Sequence, residues 1–152
     1  MRTYQSFGAL ARALTRASEA LPAAYTAAMA TGAQIVAEDA RERIGSYQDG
    51  WPHLAPSTVA EKTRLGYAGV PLEGGDGGDN PLLRTGEMRD SIKTEATPRG
   101  FIVGSTDPVL GYQEFGTRTI PPRPVLGPAL QHSLPAVGAV IGKAVVRTLK
   151  EA

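Results

Sequence analysis

Tyr112-Gln113-Glu114-Phe115-Gly116-Thr117-Arg118-Thr119-Ile120-Pro121-Pro122-Arg123-Pro124-Val125-Leu126 joins a β-rich middle to a C-terminal helical pattern, and its reading decides the fold. Tyr112 and Phe115 flank Glu114 directly before a Gly-Thr turn. Pro121, Pro122 and Pro124 bracket Arg123, which fixes φ at about −65° at each proline and removes its backbone donor. Each residue before a proline is pushed to extended backbone. The segment is expected to be a stiff extended arm or an edge strand, carrying a cation and then the apolar pair Val125 and Leu126. It holds no nucleophile with a base beside it. Its make-up suits holding a shape against another surface.

Upstream of the arm, Ser91 to Thr97 alternates and reads as a strand, Pro98-Arg99-Gly100 as a turn, and Phe101 to Ser105 as the return strand. A lone hairpin is marginal in water, so a third strand is expected, and the arm near Arg123–Leu126 is the best candidate. Downstream, Leu130, Leu134, Val137, Ile141, Ala144, Val145 and Leu149 recur at three- and four-residue steps, the stripe of an amphipathic helix that must dock. At the other end, Phe7 to Arg43 is Ala-rich and helical in pattern. Pro22 lies inside it, so a break near residues 19–21 and a second helix starting at Pro22 are expected. Gly45 suits the helix end. The chain is thus expected to be α+β and a single domain: long N-terminal helices, a small antiparallel sheet of a hairpin plus a third strand, and a C-terminal amphipathic helix.

The remaining segments are connections. Residues 47–56 form a loop punctuated by Asp-Gly and two prolines, and Trp51, the only tryptophan, is expected to plug it onto the core. Ser57 or Thr58 can cap a short helix over residues 59–64, with Glu61 completing a capping box. Thr85 can cap a single turn from Gly86, anchored by Leu82, Leu83, Met88 and Ile92. Between these lies Glu73-Gly74-Gly75-Asp76-Gly77-Gly78-Asp79-Asn80. It lacks the alternating acids and closing Glu of a calcium loop and the Lys-Ser/Thr of a phosphate loop, so it reads as a mobile acidic loop.

Composition narrows the classes of function. A chain of 152 residues with 41% apolar and 20% charged residues can bury a real core. The net charge of +1 gives no global attraction to nucleic acid or anionic membrane. The absence of cysteine excludes disulfides, thiolate metal sites and thiol catalysis. No window holds 18 uninterrupted apolar residues, so no transmembrane helix is expected, and no signal peptide is visible. The histidines, His53 in a loop and His132 on a helix surface, have no partner at metal spacing. Glu38, Asp39 and Glu42 read as a solvated helix face. No nucleophile elbow is present, and no catalytic, cofactor or metal residue is assigned.

Several stretches in order resemble a known family. They are Trp51-x-x-Leu54-x-x-x-Thr58-x-x-x-Lys62, then Pro81-Leu82-Leu83-Arg84-Thr85-Gly86-x-Met88-x-x-Ser91-Ile92, then Val103-Gly104-Ser105, Tyr112-Gln113-Glu114-Phe115-Gly116-Thr117 and Pro122-Arg123-Pro124-Val125-Leu126-x-Pro128-Ala129. This order is similar to the head–tail joining proteins of tailed phages: the neck or tail-completion family of siphophages and the related Mu-type virion-morphogenesis proteins. Gln113 stands where that family often has His, Met88 where it has Leu, and Val125 where it has Phe. The resemblance covers about residues 51–130.

The resemblance implies a non-enzymatic structural protein of a phage or phage-like particle, without cofactor. It would form a homo-oligomeric ring, hexameric or dodecameric, at the virion neck, after assembly in the bacterial host cytoplasm. The partners implied are head-closure and tail-terminator proteins, with DNA passing through the lumen unbound and no membrane involved. Closed rings need heterologous, head-to-tail contacts, and a rigid arm lowers their ordering cost. Tyr112, Glu114, Phe115, Gly116, Thr117, Arg123, Pro124, Val125 and Leu126 are expected to build the inter-subunit seam or its local scaffold, with Phe115 and Leu126 as anchors and Arg123 as the orienting ion. Trp51, Leu54, Leu83, Thr85 and Gly86 are expected to be structural, and Glu73, Asp76 and Asp79 to face the lumen. The alternatives are a nucleic-acid-binding module using Arg99, Arg118, Arg123 and Tyr112, whose binding would fall steeply with salt, and a small hydrolase.

Overall fold

The computed structural model describes residues 4–48, 50–67 and 79–152. In chain order the elements are α1 (Phe7–Arg43), α2 (Pro56–Arg64), α3 (Glu87–Asp90), β1 (Ile92–Thr97), β2 (Gly100–Ser105), α4 (Pro108–Phe115) and α5 (Leu126–Glu151). The class is α+β, with long helices at both ends and a small antiparallel sheet between them. Contacts group the chain into two units. Unit 1 comprises residues 1–35, 94–102 and 133–152, and unit 2 comprises residues 36–93 and 103–132.

The expected break at Pro22 does not occur, and α1 runs unbroken for 37 residues. A proline inside a helix costs about 3 kcal/mol through one lost hydrogen bond and a clash with the preceding turn. The buried residues Ala13 and Ala17 lie before Pro22 and Ala28, Met29 and Ala33 after it. They share a partner surface only if the helix continues, and the Ala-rich sequence carries it through. Ser6 closes the N-terminus, its hydroxyl accepting from the Ala9 N–H at 3.1 Å.

In unit 1, α1 pairs antiparallel with the later part of α5. The Arg16 guanidinium donates from Nε to the main-chain oxygen of Ala152 at 3.0 Å, while Gly32 lies against Val137 and Phe101. The approach is close because the seam is built from small residues. A Cβ placed on Gly32 would come within 3.1 Å of a Val137 methyl. Gly32→Leu is expected to lower stability by about 2 kcal/mol through overpacking. Gly32→Ala should be nearly neutral, because its better helix propensity offsets a contact that Val137 can relax. Thermal unfolding of both variants by circular dichroism tests this, and equal midpoints for the two would refute the close seam.

The same constraint narrows the buried stripe of α5: Val137, Ile141, Ala144 and Val145 keep to the covered side. Ala129, Ser133, Val137, Thr148 and Ala152 are buried, whereas Leu130, Leu134 and Leu149 of the expected stripe are exposed, Leu134 at 54%. A seam that admits Gly32 has no room for a row of leucines, so they flank it. By length and composition α5 could cross a bilayer, with a mean hydropathy of 1.2 in its most apolar window, of which 17% is buried here. Much of its apolar surface therefore lies uncovered within this chain.

The sheet has two strands, β1 paired with β2, and no third strand among the described residues. The arm does not supply one, since three of its residues are prolines and cannot donate to a ladder. The Arg123 N–H goes instead to the Gln113 carbonyl at 2.6 Å. The first half of the stretch is helical. Tyr112 to Phe115 form the last turn of α4, which Asp107 caps by accepting from the Val109 N–H at 2.8 Å, with Pro108 in the first turn.

In unit 2 the buried residues include Val36, Ala40, Ile44, Trp51, Ile92, Leu110 and Val125. The end of α1 is stapled there by Gly45, at φ 104°, whose N–H donates to the Pro81 carbonyl at 2.9 Å. α2 starts at Pro56 without a side-chain cap, so the expected capping box does not form. Its one buried residue is Lys62.

Candidate functional site

The organising stretch closes on itself in unit 2 as a hydrogen-bonded seam between α4 and α5. The last turn of α4 presents Glu114 to the first residues of α5. Its Oε2 accepts from the N–H of Val125 at 2.6 Å and of Leu126 at 2.9 Å, and its Oε1 accepts from the N–H of Gly127 at 2.8 Å. A helix start leaves its first N–H groups without intrahelical partners and carries positive dipole charge. One carboxylate from 11 to 13 residues earlier satisfies three consecutive donors. Gly127 makes room for it, since a Cβ there would lie 3.2 Å from Oε1.

The loop between the two helices is equally determined. Gly116 ends α4 at φ 72° and ψ 174°. Thr117 donates its N–H to the Ile120 carbonyl at 2.9 Å, and its hydroxyl accepts from the Ile120 N–H at 3.1 Å. The arm then turns inward. Arg123 is only 8% exposed and its guanidinium donates to the Pro52 carbonyl at 2.9 Å. That bond ties the arm to the loop carrying Trp51, which is buried as expected. Val125 is fully buried, and Pro124 and Leu126 are half-buried.

The rest of the loop is tied by Tyr47. Its hydroxyl accepts from the Leu54 N–H at 2.9 Å and donates to Asp79 at 2.5 Å, and its ring packs on His53 with centroids 4.7 Å apart. Burial, with the bond to Asp79 second, raises the phenol above its ordinary range, partly offset by the Leu54 N–H. Of the acids expected to face a lumen, Asp79 is thus bonded to Tyr47, while Glu73 and Asp76 lie outside the described residues. Leu83 packs at Gly45. Thr85 is exposed and its hydroxyl bonds the Glu87 carboxylate at 2.9 Å beside Gly86, whose φ of 94° opens α3.

Comparison with family models, curated proteins and solved structures returned no match for this chain.

The expected site residues therefore divide by direction. Glu114, Arg123 and Val125 turn inward and act as scaffold. Tyr112 and Phe115 turn outward, at 56% and 85% exposure, and with Val109 they recur every three residues along α4. This makes a small apolar patch on a helix pinned at both ends. The basic cluster loses Arg123 to the interior, while Arg99 and Arg118 remain exposed. His132 bonds Asp39 at 2.6 Å on the surface of unit 2. No group of three or more metal-donor side chains occurs among the described residues. The burial of Lys62, at 7% exposure and with its ammonium on the Asn80 carbonyl at 2.5 Å, had no signal in a polar nine-residue helix.

Proposed function

We propose that this chain is a structural component of a tailed phage or phage-like particle, forming a homo-oligomeric ring at the head–tail neck. The observation that carries the proposal is Phe115, 85% exposed beside a Glu114 whose carboxylate is fixed by three backbone donors. An aromatic held out on a rigid element is what a subunit contact requires. It forms an anchor at low ordering cost. A head-to-tail ring also needs two different surfaces on each subunit. The α4 patch supplies one, and the uncovered apolar side of α5, with Leu134, Val146 and Leu149, supplies a second. The ordered resemblance of residues 51–130 to neck proteins gives the assembly its place.

The decisive variant is Phe115→Glu, because that side chain touches little within the chain. Sedimentation velocity and negative-stain microscopy should find closed rings for the wild type and monomers for the variant, with unfolding midpoints unchanged. Arg123→Ala is a poorer test, since it removes a buried bond and mixes folding with assembly. A wild type monomeric up to millimolar concentration, or rings that survive Phe115→Glu, would overturn the assignment of the patch. In the producing host, loss of the chain should leave DNA-filled heads and finished tails unjoined.

A further inference from the structure

Unit 2 contains a cleft of ≈ 560 Å³ whose lining combines apolar Leu54, Met88 and Ile120 with the cations Lys62, Arg84 and Arg123, and among the described residues includes no Asp or Glu. Lys62 and Arg123 are each more than nine-tenths buried, yet among the described residues their side chains bond to main-chain carbonyls alone, those of Asn80 and Pro52. Neither takes part in an ion pair among the described residues. Among the described residues the Nε of Arg123 has no hydrogen-bond partner.

Buried cations without a counter-ion are unfavourable. Such a charge can lose its proton or gain an anion. Lys62 goes part of the first way: burial holds its ammonium below the ordinary lysine range, Asp79 pulls it back, and Arg84 adds to the depression. Arg123 has no such route, since a guanidinium does not deprotonate in a protein. Among the described residues Asp79 is the one acid acting on Lys62, and its carboxylate already accepts the Tyr47 hydroxyl. Within the described residues the cleft is thus left with positive charge that no ion pair compensates, beside apolar walls and at a volume within the roughly 300–1,000 Å³ of small-molecule sites.

We propose that this cleft is a binding site for a small amphipathic carboxylate, with its anionic head at Lys62 and Arg123 and its hydrocarbon against Leu54, Met88 and Ile120. The site does not rest on the ring reading, and its test reads binding rather than assembly. Trp51, adjacent to the Pro52 that holds Arg123, serves as the fluorescent reporter in the full chain. Hexanoate should saturate the signal and bind at least about tenfold more tightly than acetate, since each buried methylene adds roughly fourfold. Hexanamide, of the same shape without the charge, should not saturate it. Lys62→Met should weaken hexanoate by about tenfold, as expected for loss of a charge-assisted hydrogen bond. Arg84→Ala, at an exposed position whose guanidinium lies over the Tyr67 ring, should weaken it by about threefold with the unfolding midpoint little changed. Equal binding of hexanoate and hexanamide, inorganic phosphate binding as tightly as hexanoate, no saturation, or unaltered affinity in Arg84→Ala would each overturn the proposal.

Discussion

Gly116→Ala is expected to destabilise unit 2 by about 3 kcal/mol, without any loss of hydrophobic burial. The backbone at Gly116, φ 72° and ψ 174°, lies in a region that only glycine occupies at low cost. The second contribution is steric. An added Cβ would stand 3.0 Å from the Ile120 carbonyl oxygen, 3.0 Å from the Pro122 nitrogen and 3.1 Å from its Cδ. These are backbone and ring atoms of the arm, and no rotamer change moves them aside. Gly116→Asn distinguishes the two contributions from ordinary left-handed strain. Asparagine eases the left-handed helical region, but a ψ of 174° lies outside it, so Asn should be no better than Ala. Urea unfolding followed by Trp51, which reports on unit 2, measures the change. An unaltered m value with a lowered midpoint is the expected pattern. A Gly116→Ala variant within about 0.5 kcal/mol of the wild type would mean that the chain does not turn here as described.

The sequence held more of this arrangement than its most direct reading extracts. Periodicity and alanine content made the terminal helices legible, as did β-branched alternation for the hairpin. Asp107-Pro108 is a helix-start signature in its own right, a capping acid followed by a first-turn proline, and it foretells α4. The aromatic and proline content of residues 112–124 outweighs it in a reading that looks for an arm. Pro22 misleads for a different reason. A local penalty of about 3 kcal/mol is set against burial on both sides of the residue, and burial cannot be weighed before the partner surface is known. The stripe of α5 holds in part: Val137, Ile141, Ala144 and Val145 are buried or half-buried, while Leu130, Leu134 and Leu149 lie outside the seam because residue size, and not only hydrophobicity, decides what can meet a partner built of small residues. The site itself was partly visible. Glu114, Arg123 and Phe115 stand out in any reading of the stretch, but which of them turns inward depends on contacts 11 to 71 residues away in sequence.

Glu114→Ala should cost about 2–4 kcal/mol, more than an ordinary capping residue. An ordinary cap satisfies one donor two or three residues further along its own helix. Glu114 satisfies three from a different helix and places its charge on the positive end of α5. Removing it strands the part-buried N–H groups of Val125 and Leu126, where water reaches them poorly, and leaves the exposed N–H of Gly127 to solvent. Two further variants rank the contributions. Glu114→Gln keeps one acceptor but loses the charge and points an amide donor at backbone donors, so about half the loss is expected. Glu114→Asp keeps the charge but is one methylene too short to span both oxygens' partners, and it should fare no better than Gln. Hydrogen exchange localises the effect. Amides 125–127 should exchange faster in Glu114→Ala while those of β1 and β2 keep their protection. Because Glu114 also fixes the last turn of α4, the variant should weaken assembly through the disordering of Phe115. Phe115→Glu, in contrast, should abolish assembly and leave exchange at residues 125–127 unaltered. Uniform acceleration across all elements in Glu114→Ala, or none at residues 125–127, would separate the carboxylate from the seam it is assigned to hold.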